Sequence, residues 1–210
     1  MTLNKGLLAV VLALWGFVAS AQTLSKPKEF YFDEDRAVTR PIVVVEGLQG
    51  DELAEALVKI RERGRKAIEA SVQLAHVAIA GGRTELGKSL YQQALNSTQS
   101  GGTLWRSISW NYAWDLYRLG EFEPALTQWT GAINVVGAPA WVPPTLALSL
   151  WSVDRKTEAV QWYAAAVRTE PNLWNDPANF ARLLPTWSES ERSRLAEVHA
   201  AWQANPPAWP

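Results

Sequence analysis

Apolar side chains recur at three- and four-residue steps from residue 51 onward, at Leu53, Leu57, Ile60, Ala67, Ile68, Val72, Ala75 and Ile79. That period follows one face of an α-helix, so the spacing predicts helical structure from 51 to 80. Asp51 is the expected N-cap, with Glu52 and Glu55 near the positive helix end, and Gly81 with Gly82 stops the segment because glycine accepts the left-handed conformation of a helix terminus. Gly64 interrupts the pattern at a cost of roughly 1 kcal/mol relative to alanine, which marks a candidate break. Residues 22–50 lack the helical period and mix charge with two prolines, which predicts an extended lead-in. Within it, Ile42, Val43, Val44 and Val45 form a candidate short strand, marginal without a partner. Together with Phe30, Tyr31 and Phe32 they are too apolar for a free linker and are expected to lie against the helical body.

Toward the other end, Asp176 and Pro177 are an N-cap residue followed by proline at the first helical position, opening a short helix through about Leu184. Ser188 with Glu191 reads as a capping box, after which Leu195, Val198 and Trp202 share one face until Asn205, Pro206 and Pro207 end the pattern. A helix from Glu189 to Ala204 suits a terminal cap.

Between these ends the chain repeats itself. A small residue, an aromatic four positions on and an alanine three further on occur as Gly87, Tyr91, Ala94, as Ala125, Trp129, Ala132 and as Ala159, Tyr163, Ala166, spaced 38 and 34 residues apart. Thirteen residues before each small residue stands a large side chain followed by alanine: Leu74 and Ala75, Tyr112 and Ala113, Leu146 and Ala147. Ala78, Leu116 and Leu150 mark a third equivalent position, and the turns read GGRTELG, LGEFEPA and VDRKTEA. The alanines let two helices approach closely, while the aromatics fill the gap to the next pair.

This arrangement resembles the tetratricopeptide repeat family, whose unit is a 34-residue helical hairpin. The resemblance implies an all-α chain: a short right-handed α-solenoid of about three hairpins, near 71–104, 109–142 and 143–174, with residues 176–210 as a C-terminal capping element and Pro-rich tail. Gly82 and Gly120 fit the turn within a unit and Pro171 fits the end of a second helix. Asp154 departs from the turn glycine, Gly87 from the alanine, and 98–108 carries an apparent insertion of about four residues rich in Gly, Ser and Thr.

Composition narrows the function. The 210 residues are 48% hydrophobic and 20% charged, an ordinary globular balance. Lys plus Arg number 20 against 21 for Asp plus Glu, so no basic excess exists to neutralise phosphates, and nucleic acid is not an expected partner. Residues 1–21 combine an early Lys5, an apolar run over 6–19 and the small triplet Ala19, Ser20, Ala21, the pattern of a secretory signal cleaved after Ala21. A periplasmic or secreted location follows as an expectation, with no integral span after cleavage; an uncleaved signal anchoring the chain in the inner membrane is the alternative. With no cysteine, the exported chain folds without disulfides and carries no thiol for lipidation.

Catalytic chemistry has few candidates. There is no cysteine and no G-x-S-x-G elbow, and the two histidines, His76 and His199, lack partners at metal-ligand spacing in sequence. The paired acids Glu189 with Glu191 and Asp33 with Asp35 read as solvated surface or helix start, and GGRTELGKS lacks the ending of a phosphate loop. The expectation is a non-enzymatic protein with no cofactor and no metal.

In the family resembled, the first helix of each unit lines a concave face that binds a peptide or partner helix. Carried onto this chain, those positions are Val72, His76 and Ile79, then Trp110, Trp114 and Tyr117, then Pro144, Leu148 and Trp151, with Asn111 and Arg118 alongside. In this register Tyr112 and Trp129 are core, whereas Trp110, Trp114 and Tyr117 face the groove. Such a face is more aromatic than a solvated helix surface requires. Two readings are open: the face is covered from within, by the lead-in or by the tail PPAWP at 206–210, or it clamps an extended or proline-rich segment of a protein partner. The expected function is therefore a protein–protein interaction scaffold of the bacterial cell envelope, with peptidoglycan or glycan binding through exposed tryptophans as the alternative and a hydrolase further behind.

Overall fold

A computed structural model describes residues 24–27, 35–133 and 139–208. The expected signal at 1–21, the cluster Phe30, Tyr31 and Phe32, and the last two residues of the tail lie outside the described residues. Among the described residues the chain is all-α, with ten α-helices, one 3-10 turn and no strand.

Helices α1 (Gly50–Arg63) and α2 (Ala67–Ala80) divide the first predicted helix at Gly64. A Cβ on Gly64 would meet the Ile60 carbonyl oxygen at 2.6 Å, so the break falls where a side chain has no room. Gln49 occupies the N-cap and Asp51 lies inside the first turn, where its charge still favours the positive helix end.

Three hairpins follow: α2 with α3 (Thr84–Asn96), α4 (Thr103–Arg118) with α5 (Phe122–Ala132), and α6 (Val142–Ser152) with α7 (Lys156–Thr169). Their turns share one construction. Arg83 N–H donates to Ala78 O at 2.8 Å, Glu121 N–H to Leu116 O at 2.9 Å and Arg155 N–H to Leu150 O at 2.9 Å. The preceding residues, Gly82, Gly120 and Asp154, have φ of 78°, 82° and 60°. These six-residue closures satisfy carbonyls that the helix end leaves without partners, and they require a left-handed residue. Asp154 is thus an aspartate in a glycine's conformation.

Ala75, Ala113 and Ala147 are fully buried where paired helices cross, and so are Tyr91, Trp129 and Tyr163. Truncating one such ring to alanine costs about 3–5 kcal/mol, so these positions carry much of the stability. Gly87 replaces the alanine of the other units because Ile79 occupies the space: an added Cβ would lie 2.4 Å from Ile79 Cγ1 and 2.6 Å from Ala75 O.

Hairpins meet through α3 on α4, α2 on α4 and α5 on α6, and α1 packs on α2. Helix α6 is buried from Val142 to Leu150, with Pro143 and Pro144 in its first turn, where a missing N–H costs no helical bond. After α8 (Pro171–Trp174), the 3-10 turn (Pro177–Asn179) and α9 (Phe180–Leu183), α10 (Glu189–Ala204) packs on α6 and α7. Its capping box is formed: Ser188 Oγ accepts from Glu191 N–H at 3.2 Å, and Glu191 Oε2 accepts from Ser188 N–H at 2.6 Å.

The hairpins start earlier than the repeat spacing suggests. Residues 103–108, expected within an insertion, form the first turns of α4, leaving only 97–102 between α3 and α4. No strand forms at 42–45, because the backbone N–H groups there bond to side-chain amides of α2 and α4 instead of a neighbouring strand.

Candidate functional site

The face of α4 that carries Trp110, Trp114 and Tyr117 is covered by two other segments of the chain. Trp110, Trp114 and Tyr117 are 8%, 9% and 5% exposed. From one side comes a non-helical strap, residues 35–47. From the other comes the segment between α9 and α10, which carries Thr186 and Trp187.

Two amides hold the strap. Gln73 Oε1 accepts from Val44 N–H at 2.7 Å and Val45 N–H at 3.0 Å, while Gln73 Nε2 donates to Val45 O at 2.7 Å. On the next hairpin, Asn111 Oδ1 accepts from Ile42 N–H at 3.3 Å and Asn111 Nδ2 donates to Arg40 O at 3.0 Å. Gln73 and Asn111 each stand fourteen residues before their unit's small residue, Gly87 and Ala125, so both amides project from the same repeat position. Further along, Asp35 forms a buried ion pair with Arg106 and accepts from Trp141 Nε1 at 3.2 Å, and Val38 is fully buried. Arg106 is held in turn by Ala132 O at 2.7 Å.

On the opposite side Trp187 stacks edge-to-face on Trp114, with ring centres 5.1 Å apart. The Arg118 guanidinium lies 5.1 Å from the Trp114 ring, and its Nε donates to Glu191 Oε1 at 3.0 Å. Tail residues Pro207 and Ala208 border a separate cleft with Lys26, Pro27, Gln161 and Arg168. The described part of the tail therefore does not cover the groove, contrary to that half of the expectation.

The division of rings into core and groove also needs correction. Trp129, fully buried, contacts Trp110 at 6.3 Å, Trp114 at 4.9 Å and Tyr117 at 5.7 Å between ring centres. The four rings are one aromatic cluster in tilted and edge-to-face geometry, and ring quadrupoles favour the edge-to-face pairs. Trp129 Nε1 is buried with no hydrogen-bond partner among the described residues.

Between strap and helices a groove of about 320 Å³ stays open. Of the expected site residues it brings together Val72, His76, Trp110, Asn111, Trp114 and Arg118. Tyr117 borders the adjoining cleft with Arg118, Ser190 and Arg194. The other four are elsewhere: Ile79 packs over Gly87 inside the first hairpin, Pro144 borders a second cavity beyond Trp110, Leu148 is fully buried in α6, and Trp151 donates from Nε1 to Glu197 Oε2 of α10 at 2.8 Å. The capping helix thus takes up Trp151, at the far end of the third hairpin's first helix.

Two contributors were missed. Gln73 is one; Asn111, at the same register position, was the signal that points to it. The other is Asp115, buried in α4, where it accepts from Tyr91 Oη at 2.7 Å and pairs with His76 Nδ1 at 2.9 Å. An acid between Trp114 and Leu116 in an apolar helix was the available signal. The Asp115 hydrogen bond raises the His76 pKa above its usual value, against the opposing effects of burial and Arg118. Burial first and Asp115 second push the Tyr91 hydroxyl well up, so it stays a donor. The His76 side chain remains 58% exposed at the groove. This network ties α2, α3 and α4 and presents a cation to the groove when His76 is protonated.

Among the described residues no group of three His, Cys, Asp or Glu is placed to hold a metal ion, and no helix is long and apolar enough to cross a membrane. In comparisons with known proteins, no family model, no curated protein and no solved structure matches the chain.

Proposed function

We propose that the protein is a non-enzymatic protein–protein interaction scaffold of the bacterial cell envelope, exported by a cleaved signal and built as a short tetratricopeptide-like α-solenoid. It receives a segment of a partner protein in the groove between α2, α4 and the strap. One observation carries this reading: side-chain amides at one repeat position of two successive hairpins grip main-chain N–H and C=O groups of a non-helical segment. That chemistry recognises backbone rather than particular side chains, and it fixes residues 40–45 as one wall of an open groove with room for a second peptide beside it. Rings of Trp110 and Trp114 supply area at low entropic cost beneath it.

The test is site-specific photo-crosslinking in cells. Val43 is exposed at the groove edge, whereas Leu86 is exposed on α3. A photoreactive residue at 43 is expected to yield a discrete protein adduct in the envelope fraction, reduced by Trp110→Ala with Trp114→Ala, while one at 86 yields none. The same adducts from both positions, or none from 43, would remove the groove as the binding site.

A further inference from the structure

Beyond Trp110, the groove continues into a second cavity of about 470 Å³, and the two share Thr39, Trp110 and Thr186. Four tryptophans from separate elements border it: Trp110 of α4, Trp141 at the start of α6, Trp174 of α8 and Trp187 before α10. Trp110 and Trp141 meet edge-to-face with ring centres 4.7 Å apart and planes at 68°, so these two rings stand crossed rather than as one flat platform. Among the described residues Glu170 is the sole charged one in the lining, and it makes no side-chain hydrogen bond or ion pair with another of them.

We propose that this cavity receives the basic side chain, lysine or arginine, of the partner segment that occupies the groove; the inference rests on the partner-binding reading above. The faces of indole rings carry negative potential, and a cation within about 6 Å of a ring centre is attracted to it, most strongly for tryptophan. Glu170, which borders the same cavity, carries the opposite charge. An acidic side chain would meet repulsion from both. A purely apolar one would strip water from Glu170 and leave its charge without a partner. A cation satisfies rings and carboxylate together. The shared border at Thr39, Trp110 and Thr186 puts the cavity within side-chain reach of a backbone lying in the groove.

The experiment uses the full exported chain and the indole N–H resonances in ¹H–¹⁵N spectra, titrated with Nα-acetyl-argininamide, its neutral isostere Nα-acetyl-citrullinamide and a neutral N-acetylglucosamine disaccharide. The arginine compound is expected to shift the indole signals of Trp141 and Trp174 saturably, with the citrulline compound about tenfold weaker or more. Glu170→Gln should weaken arginine binding severalfold and leave citrulline binding unchanged. Equal affinity for arginine and citrulline compounds, tighter binding of the disaccharide, or no saturable shift would each overturn the proposal. A position-43 adduct that persists without arginine preference removes this inference and leaves the partner-binding reading. Arginine preference without such an adduct does the reverse.

Discussion

Replacing Gln73 by alanine removes three hydrogen bonds at once: two accepted by Oε1 from Val44 and Val45, and one donated by Nε2 to Val45 O. Each such bond is worth about 0.5–1.5 kcal/mol net, and because this site is partly buried the lower half of that range applies, giving about 2 kcal/mol in all. That corresponds to roughly a 30-fold rise in the opening equilibrium of this end of the strap. The far end keeps Asp35 on Arg106 and Trp141, and Val38 stays in the core, so the opening is local. Amide hydrogen exchange reads this directly, since exchange through local opening scales with the opening constant. The Val44 and Val45 amides are expected to exchange roughly 30-fold faster in Gln73→Ala, with much smaller changes in α4 and α6. Unchanged protection at Val44 and Val45 would refute the claim that Gln73 holds the strap.

Gly87→Ala forces a methyl against Ile79 and Ala75 O and should destabilise by about 1–3 kcal/mol in urea denaturation, whereas the equivalent positions already hold alanine. Asp154→Gly relieves a left-handed aspartate and should raise stability by a few tenths to about 1 kcal/mol, read as a higher melting temperature. The His76 pKa is raised in the folded state, so the contribution of its protonated form is fully present below the unfolded value of 6.5 and is lost as pH rises through the folded value. Urea midpoints should therefore fall from pH 6.5 upward in wild type more steeply than in His76→Ala; parallel curves would contradict the pairing with Asp115.

Repeat register was legible because helix crossings leave a periodic trace. Alanine where backbones approach and a ring where hairpins leave a gap must recur at fixed offsets, and the offsets alone located Ala75, Ala113, Ala147, Tyr91, Trp129 and Tyr163. The capping box at Ser188 was legible because both of its bonds are local. That Ile42, Val44 and Val45 lie against the helices was legible from their apolarity, but the way the strap is held was not, since its backbone bonds end on side chains 28 to 71 residues away and no local pattern announces them. Trp151 and Leu148 were assigned to the groove because the register describes one hairpin at a time and does not include α10, which packs over the third. Asp115 was hidden by the same limit: its partners, His76 and Tyr91, belong to the preceding hairpin.

A row of helical hairpins in which each touches only its neighbours frays from its ends and folds piecemeal. The strap changes that accounting. Asp35 reaches Trp141 across 106 residues, and Asn111 reaches Arg40 across 71, so residues 35–40 are sewn to the middle of the chain. Such a stitch cannot close until the third hairpin's first helix has been made, and long closures of this kind slow folding relative to local helix pairing. Hairpins can assemble in order, yet sealing of the tryptophan face waits for both ends of the stitch. The same tie couples the hairpins it spans, so helix content and tryptophan fluorescence are expected to lose their native values at one shared denaturant midpoint rather than hairpin by hairpin.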